Sequence, residues 1–143
     1  MIDPEAAHIV FNESWPLTMV GLDVTHRALA TPEIVAEIAA IGTPVAHFVG
    51  ELLEFFARSY RDAQGFDHPP VHDPVAVAYV IDRSVLTVRT APLDVELTGT
   101  ITLGMTVADL RGPAPEGTTT RVATDIDAPR FWSLVIQAIR AIG

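Results

Sequence analysis

The sequence predicts an α/β fold, and three observations carry that prediction. A continuous apolar run, Leu17 to Leu22, reads as a strand covered on both faces. Around it lie helix starts of one type, a capping residue followed by proline: Asp3-Pro4, Thr31-Pro32, Thr43-Pro44 and Asp73-Pro74. Between Val85 and Thr124 the pattern changes to short β-type segments separated by glycine and proline turns.

In chain order, Asp3-Pro4-Glu5 opens a helix to about Phe11, with Glu5 favoured by the helix dipole. Trp15-Pro16 ends that region, and the Leu17–Leu22 strand follows. Asp23, Thr25 and His26 lie at its C-terminal end, the edge where open α/β sheets bind ligands. One reading has one of them lining a pocket. The plainer reading, which we favour, has Asp23 and Thr25 satisfying loop backbone groups and His26 on the surface. Thr31 starts a helix to about Ile41, and Thr43 starts a longer one to about Gln64, stopped by Gly65. Val45, Phe48, Val49, Leu52, Leu53, Phe56 and Tyr60 form the apolar stripe of that helix.

The stretch Pro69-Pro70-Val71-His72-Asp73-Pro74 joins an imidazole and a carboxylate to a helix start. Asp73 is expected as N-cap and Pro74 as the first helical residue. The helix that follows is apolar on nearly every side, so it is expected to be a buried core helix. Val85–Arg89, Leu93–Leu97, Thr100–Met105, Thr106–Leu110 and Arg121–Thr124 read as strands. Ala128 to Ile142 is a closing amphipathic helix with Phe131, Leu134, Val135, Ala138 and Ile142 on one face.

At 143 residues the chain is expected to be a single domain spanning 1–143. Its hydrophobic fraction of 49% is high, yet no apolar run approaches the ~18 residues of a membrane span, so the excess points to an extra buried face. The start carries no basic-then-apolar leader, and cysteine is absent, which fits a cytoplasmic protein without thiol chemistry. A net charge of −9, with every basic residue an arginine, argues against nucleic-acid binding.

His72-Asp73-Pro74-Val75-Ala76-Val77-Ala78-Tyr79 resembles the C-terminal half of the inosine-uridine-preferring nucleoside hydrolases. Asp3-Pro4-Glu5-Ala6-Ala7, Trp15-Pro16-Leu17-Thr18-Met19-Val20-Gly21-Leu22-Asp23-Val24-Thr25-His26 and Gly104-Met105-Thr106-Val107-Ala108-Asp109 support the resemblance, in the order that family has them, as does Phe131-Trp132 in the closing helix. The family is longer and opens with an Asp-x-Asp-x-Gly-x-Asp-Asp strand end that these residues do not contain. The fold implied is therefore a nucleoside-hydrolase-like portion: a parallel core strand flanked by helices, joined to antiparallel strands.

The activity implied is hydrolysis of the N-glycosidic bond of ribonucleosides, through a transition state of oxocarbenium character. By resemblance His72 is the catalytic residue beside the leaving base, Tyr60 is an aromatic residue that closes over the base, and Asp73 is a metal ligand. The cofactor implied is calcium, which takes six to eight oxygens. The remaining aspartates, including the general base, belong to the motif absent here, and the ribose-binding asparagine would fall just before Asp3. Catalysis and tight calcium binding by this chain alone are therefore not expected. Core packing is the alternative role for Tyr60, and plain helix capping for the His72-Asp73 pair. The partners expected are a ribonucleoside once the site is complete, and either a second copy or an N-terminal half covering an open edge at Leu17–Leu22. Nucleic acid and membrane are not expected. The competing function class is a non-catalytic oligomeric interaction or ligand-binding domain that kept the fold.

Overall fold

The computed structural model describes residues 3–143. Eleven elements follow in order: α1 (Pro4–Phe11), β1 (Leu17–Met19), α2 (Leu22–Thr25), α3 (Pro32–Ala39), α4 (Pro44–Gln64), α5 (Asp73–Ile81), β2 (Leu86–Thr90), β3 (Leu93–Val95), β4 (Thr106–Ala108), β5 (Thr120–Ile126) and α6 (Ala128–Ile142). A single 3₁₀ turn at Arg83–Val85 leads into β2. The fold is mixed α/β, and the chain divides into two compact units, residues 1–21 with 87–125, and residues 22–86 with 126–143.

The first unit carries the strands. One sheet has the order β1-β5-β2, with β1 and β5 parallel in the register Leu17↔Thr120 to Met19↔Val122. Thr87 and Ala91 of the β2 region meet Thr124 and Thr120 in that order, so rising numbers face falling ones and β2 is antiparallel to β5. A second sheet pairs β3 and β4 antiparallel. Asp3 caps α1 by accepting the Ala6 N–H at 2.9 Å, and α1 packs on β3. Ala91, Leu93 and Val122 form a small core, flanked by Phe11, Leu17, Met19, Ala108 and Leu110.

Three expectations in this unit are corrected. The β1 strand stops at Met19, all its residues are half-buried rather than covered on both faces, and Leu22 begins the short helix α2 instead of ending the strand. Residues 100–103 form a turn and not a strand. Two causes act there. Gly104 adopts a φ of 81°, which favours glycine, and its N–H donates to the Glu96 carbonyl. The Glu96 carboxylate also accepts the backbone N–H groups of Thr98 and Gly99, so the chain reverses on that side chain. The last strand runs from Thr120 to Ile126, longer than Arg121–Thr124.

The second unit is helical. Thr43 caps α4 by accepting the Ala46 N–H, and Gly65 ends it with a left-handed φ of 71°. Helices α3, α4 and α5 each pack against α6. The core holds Ile38, Leu53, Val75, Ala78, Tyr79, Val85, Phe131, Trp132, Ile136 and Ile139. The buried face of α6 is thus rotated from the one expected: Ala138 and Ile142 are exposed, while Trp132, Ile136 and Ile139 turn inward.

The α5 helix departs from expectation twice. Its first helical residue is Asp73, and His72 occupies the N-cap position without making a side-chain cap bond. Only one face is buried, through Val75, Ala78 and Tyr79. Val77, Val80 and Ile81 are 59%, 80% and 73% exposed.

Candidate functional site

His72 reaches its place because the loop before it is pinned. Pro69 and Pro70 are buried, the Pro69 carbonyl accepts the Ala30 N–H at 3.0 Å, and the Val71 N–H donates to the Ala28 carbonyl at 3.1 Å. Leu29 and Pro70 form an isolated β-bridge. The prolines fix the backbone angles of the loop. The bridge lays it beside the segment that follows α2, so residue 72 arrives next to residues 25 and 26.

Both ring nitrogens of His72 are engaged. Its Nδ1 lies 2.7 Å from Thr25 Oγ1 and its Nε2 lies 2.8 Å from Tyr60 Oη. One nitrogen donates and the other accepts, with each hydroxyl turning to complement it. The imidazole therefore spans α2 and α4 from its position at the start of α5. Aromatic rings surround it: Tyr60 and His26 have centroids 5.9 and 5.5 Å from its own. Phe66 closes the group, 6.0 Å from Tyr60 and 5.1 Å from His26.

Electrostatics favour the neutral ring. Burial holds the His72 pKa below its ordinary 6.5, the nearby His26 lowers it further, and Asp73 opposes both. Asp73 itself is exposed at the first turn of α5. His72, Asp73 and Tyr60 also line a cavity of about 360 Å³ whose other walls are Val49, Leu52, Leu53 and Phe56 of α4, and Phe131, Trp132 and Val135 of α6.

The structure thus brings His72, Tyr60 and Asp73 together. It does more with Thr25 and His26 than the favoured sequence reading. Thr25 is buried and its hydroxyl meets His72 rather than loop backbone; His26 is half-buried between Phe66 and His72 and not a surface residue. Phe66 lies in the loop after Gly65, and no local motif marks it. Asp23 is exposed, and Asp109 is held by Arg111 at 2.7 Å, which depresses its pKa.

Calcium is tested against this donor set. Among the described residues no group of three or more His, Cys, Asp or Glu side chains is placed to hold a metal ion. Asp73 is a lone carboxylate beside a histidine and apolar walls, whereas calcium needs six to eight oxygens. The side chains present do not fit the ion.

The site thus offers an imidazole with two hydroxyl partners, able to exchange a proton, among rings able to stack on a planar group. The inosine-uridine preferring nucleoside hydrolase family model matches residues 1–133, and the chain belongs to that family. It is 53% identical over 143 residues to the inosine-uridine preferring nucleoside hydrolase of Crithidia fasciculata, covering 100% of this chain and 45% of that protein. It is 40% identical over 139 residues to a pyrimidine-specific ribonucleoside hydrolase of Shewanella woodyi, covering 96% and 45%. Among solved structures, a purine-preferring ribonucleoside hydrolase from Gardnerella vaginalis superposes with a TM-score of 0.80 at 31% identity, over 98% of this chain and 45% of that one. The chain therefore spans less than half the length of the relatives it matches. No helix among the described residues is long and apolar enough to cross a membrane.

Proposed function

We propose that this chain forms the leaving-group side of a ribonucleoside hydrolase site, within a single nucleoside-hydrolase domain completed by further residues. The observation that carries the proposal is the Thr25–His72–Tyr60 chain of hydrogen bonds, at 2.7 and 2.8 Å, set among aromatic rings in a member of this family.

Hydrolysis of a nucleoside breaks the bond from the anomeric carbon to a ring nitrogen of the base. Electrons move onto the base as that bond lengthens, and a proton supplied there stabilises the leaving group. His72 is the group assigned to that transfer. Protonated from solvent, it gives the proton from Nε2 to a ring nitrogen of the base as the glycosidic bond breaks and returns to the neutral ring, with Tyr60 Oη ceding Nε2 to the base. The Thr25 bond at Nδ1 holds the ring plane meanwhile. Tyr60 has two parts in this reading: its ring faces the planar base with Phe66 and His26, and its hydroxyl partners Nε2 of His72 until the base takes that place. Asp73 is the carboxylate available to a cation at the cavity edge, but one carboxylate does not make a calcium site, and no step is assigned through it. The water-activating base and the ribose contacts come from residues outside those described. The relatives' names cover purine, pyrimidine and inosine-uridine preference, so the base class is left open.

The test is release of base from inosine and uridine. The chain is refolded with the part of the Crithidia fasciculata relative that lies outside their match, with calcium added. Turnover by the refolded complex, absent from either piece alone, supports the proposal. A folded complex that releases no base from either nucleoside overturns it.

A further inference from the structure

The longest helix, α4, carries a polar stripe as well as its apolar one. His47, Glu51, Glu54, Arg58 and Arg61 recur at four and three and are all exposed, so they run along one side of the helix. The charges on that stripe are sorted: both glutamates come first and both arginines last. Glu54 and Arg58 are spaced for an (i, i+4) ion pair in the favourable order. Yet none of the four charged residues makes an ion pair among the described residues. The acidic half borders an open groove of about 820 Å³ between α3 and α4, lined by Val35, Ala39, Ala46, Gly50, Glu51 and Glu54. A Cβ at Gly50 would meet nothing within 4 Å, so no described neighbour requires glycine there, although glycine is unfavourable in mid-helix. What this glycine supplies is room for a long side chain to lie close against the backbone.

We infer that this stripe is a contact between two copies of the chain, whose α4 helices lie antiparallel about a two-fold axis, with Glu51 of each meeting Arg61 of the other and Glu54 meeting Arg58. A two-fold axis reverses the helix, so an order of acids then bases is its own complement; in a parallel pair the same order would set like charges together. A second copy is selected over a foreign partner on that ground. It brings two arginines at the required spacing and receives the same two in return. At a rise of about 1.5 Å per residue, Glu51 and Arg61 stand about 15 Å apart along α4, so all the pairs fall within about three turns. The incoming arginine stems lie in the groove over Gly50, and their guanidinium groups reach the glutamates on its wall. The contact uses the polar side of α4 and none of the α4 residues that line the His72 cavity, so it is independent of the role proposed for His72.

Sedimentation equilibrium of the 143-residue chain, and of its Glu54→Arg and Arg58→Glu variants, tests the contact. Both positions are exposed, and circular dichroism checks that each variant keeps its helix content. The unaltered chain is expected to dimerise at micromolar concentration and to dissociate as salt is raised. Each single reversal sets like charges together at both symmetric pairs and should weaken the dimer about tenfold or more. An equimolar mixture of the two variants should recover the affinity of the unaltered chain, because each then meets the opposite charge on the other. The chain carrying both reversals should recover it too. Should a reversal at 54 or 58 lose helix, Glu51→Arg and Arg61→Glu make the same cross independently. A chain that stays monomeric overturns the inference. So do single variants that associate as tightly as the unaltered chain, which would place the contact elsewhere. Weakening by both reversals without recovery in the mixture also overturns it, since the charges would then serve a different partner.

Discussion

Replacing Thr25 by valine probes the support of His72 directly. Thr25 is 3% exposed and its hydroxyl lies 2.7 Å from His72 Nδ1. Valine has nearly the same shape, so Thr25→Val opens no cavity and the cost is that of the hydrogen bond. A typical bond contributes about 1 kcal/mol net, and stranding a buried partner costs about 1–3 kcal/mol. His72 is only half-buried, and water reaching the ring relieves part of the penalty, which places the expected loss at about 1–2 kcal/mol. With a urea slope of about 2 kcal/mol/M, the unfolding midpoint falls by about 0.5–1 M. Circular dichroism in urea measures the midpoint, and nitrogen NMR of the His72 ring reports the tautomer, which should become less uniform as Nδ1 loses its partner. A midpoint shift below about 0.2 M together with unchanged ring resonances would refute the reasoning, because Thr25 would then be a bystander.

Two further outcomes are expected. The unfolded chain binds a proton that the folded His72 resists, since the folded pKa lies below the ordinary 6.5. Stability should therefore fall as pH drops from above 6.5 through the lowered folded value, and His72→Gln should flatten that part of a thermal-melting profile; an unchanged slope counts against it. The Asp82 contribution is separate: hydrogen bonds from Ser84 and the Arg130 guanidinium hold its pKa at about 2, so its loss begins only as pH falls below 3.8. Phe131 is fully buried, and Phe131→Ala should cost about 3–5 kcal/mol in urea unfolding. A cost below about 1 kcal/mol would mean that α6 does not anchor the second unit's core.

The sequence pattern was most informative where local chemistry decides the outcome. Asp3 and Thr43 cap helices as their spacing predicts, and Gly65 ends α4 in the left-handed conformation that glycine tolerates. It was least informative where distant chain decides it. Nothing near Thr25 announces that its hydroxyl will meet an imidazole 47 residues on; that contact follows from the bridge between Leu29 and Pro70. The 100–103 turn was hidden because threonine and isoleucine favour strands, while the Glu96 carboxylate and Gly104 reverse the chain. For α6, a 3.6-residue period is satisfied by two neighbouring faces, and packing on α3, α4 and α5 chose the one with Trp132 and Ile136. The exposed side of α5 is a different kind of departure. Its composition specifies burial that the described residues do not provide.

The central claim is that His72 stands beside the departing base. It is tested most directly by comparing His72→Ala with the unaltered chain, each refolded with the complementary part of the Crithidia fasciculata relative, on inosine under saturating conditions. The account predicts a fall in kcat of roughly 10²–10⁴-fold from loss of the proton donor, with nucleoside still bound. Equal turnover of inosine by the two complexes would contradict it.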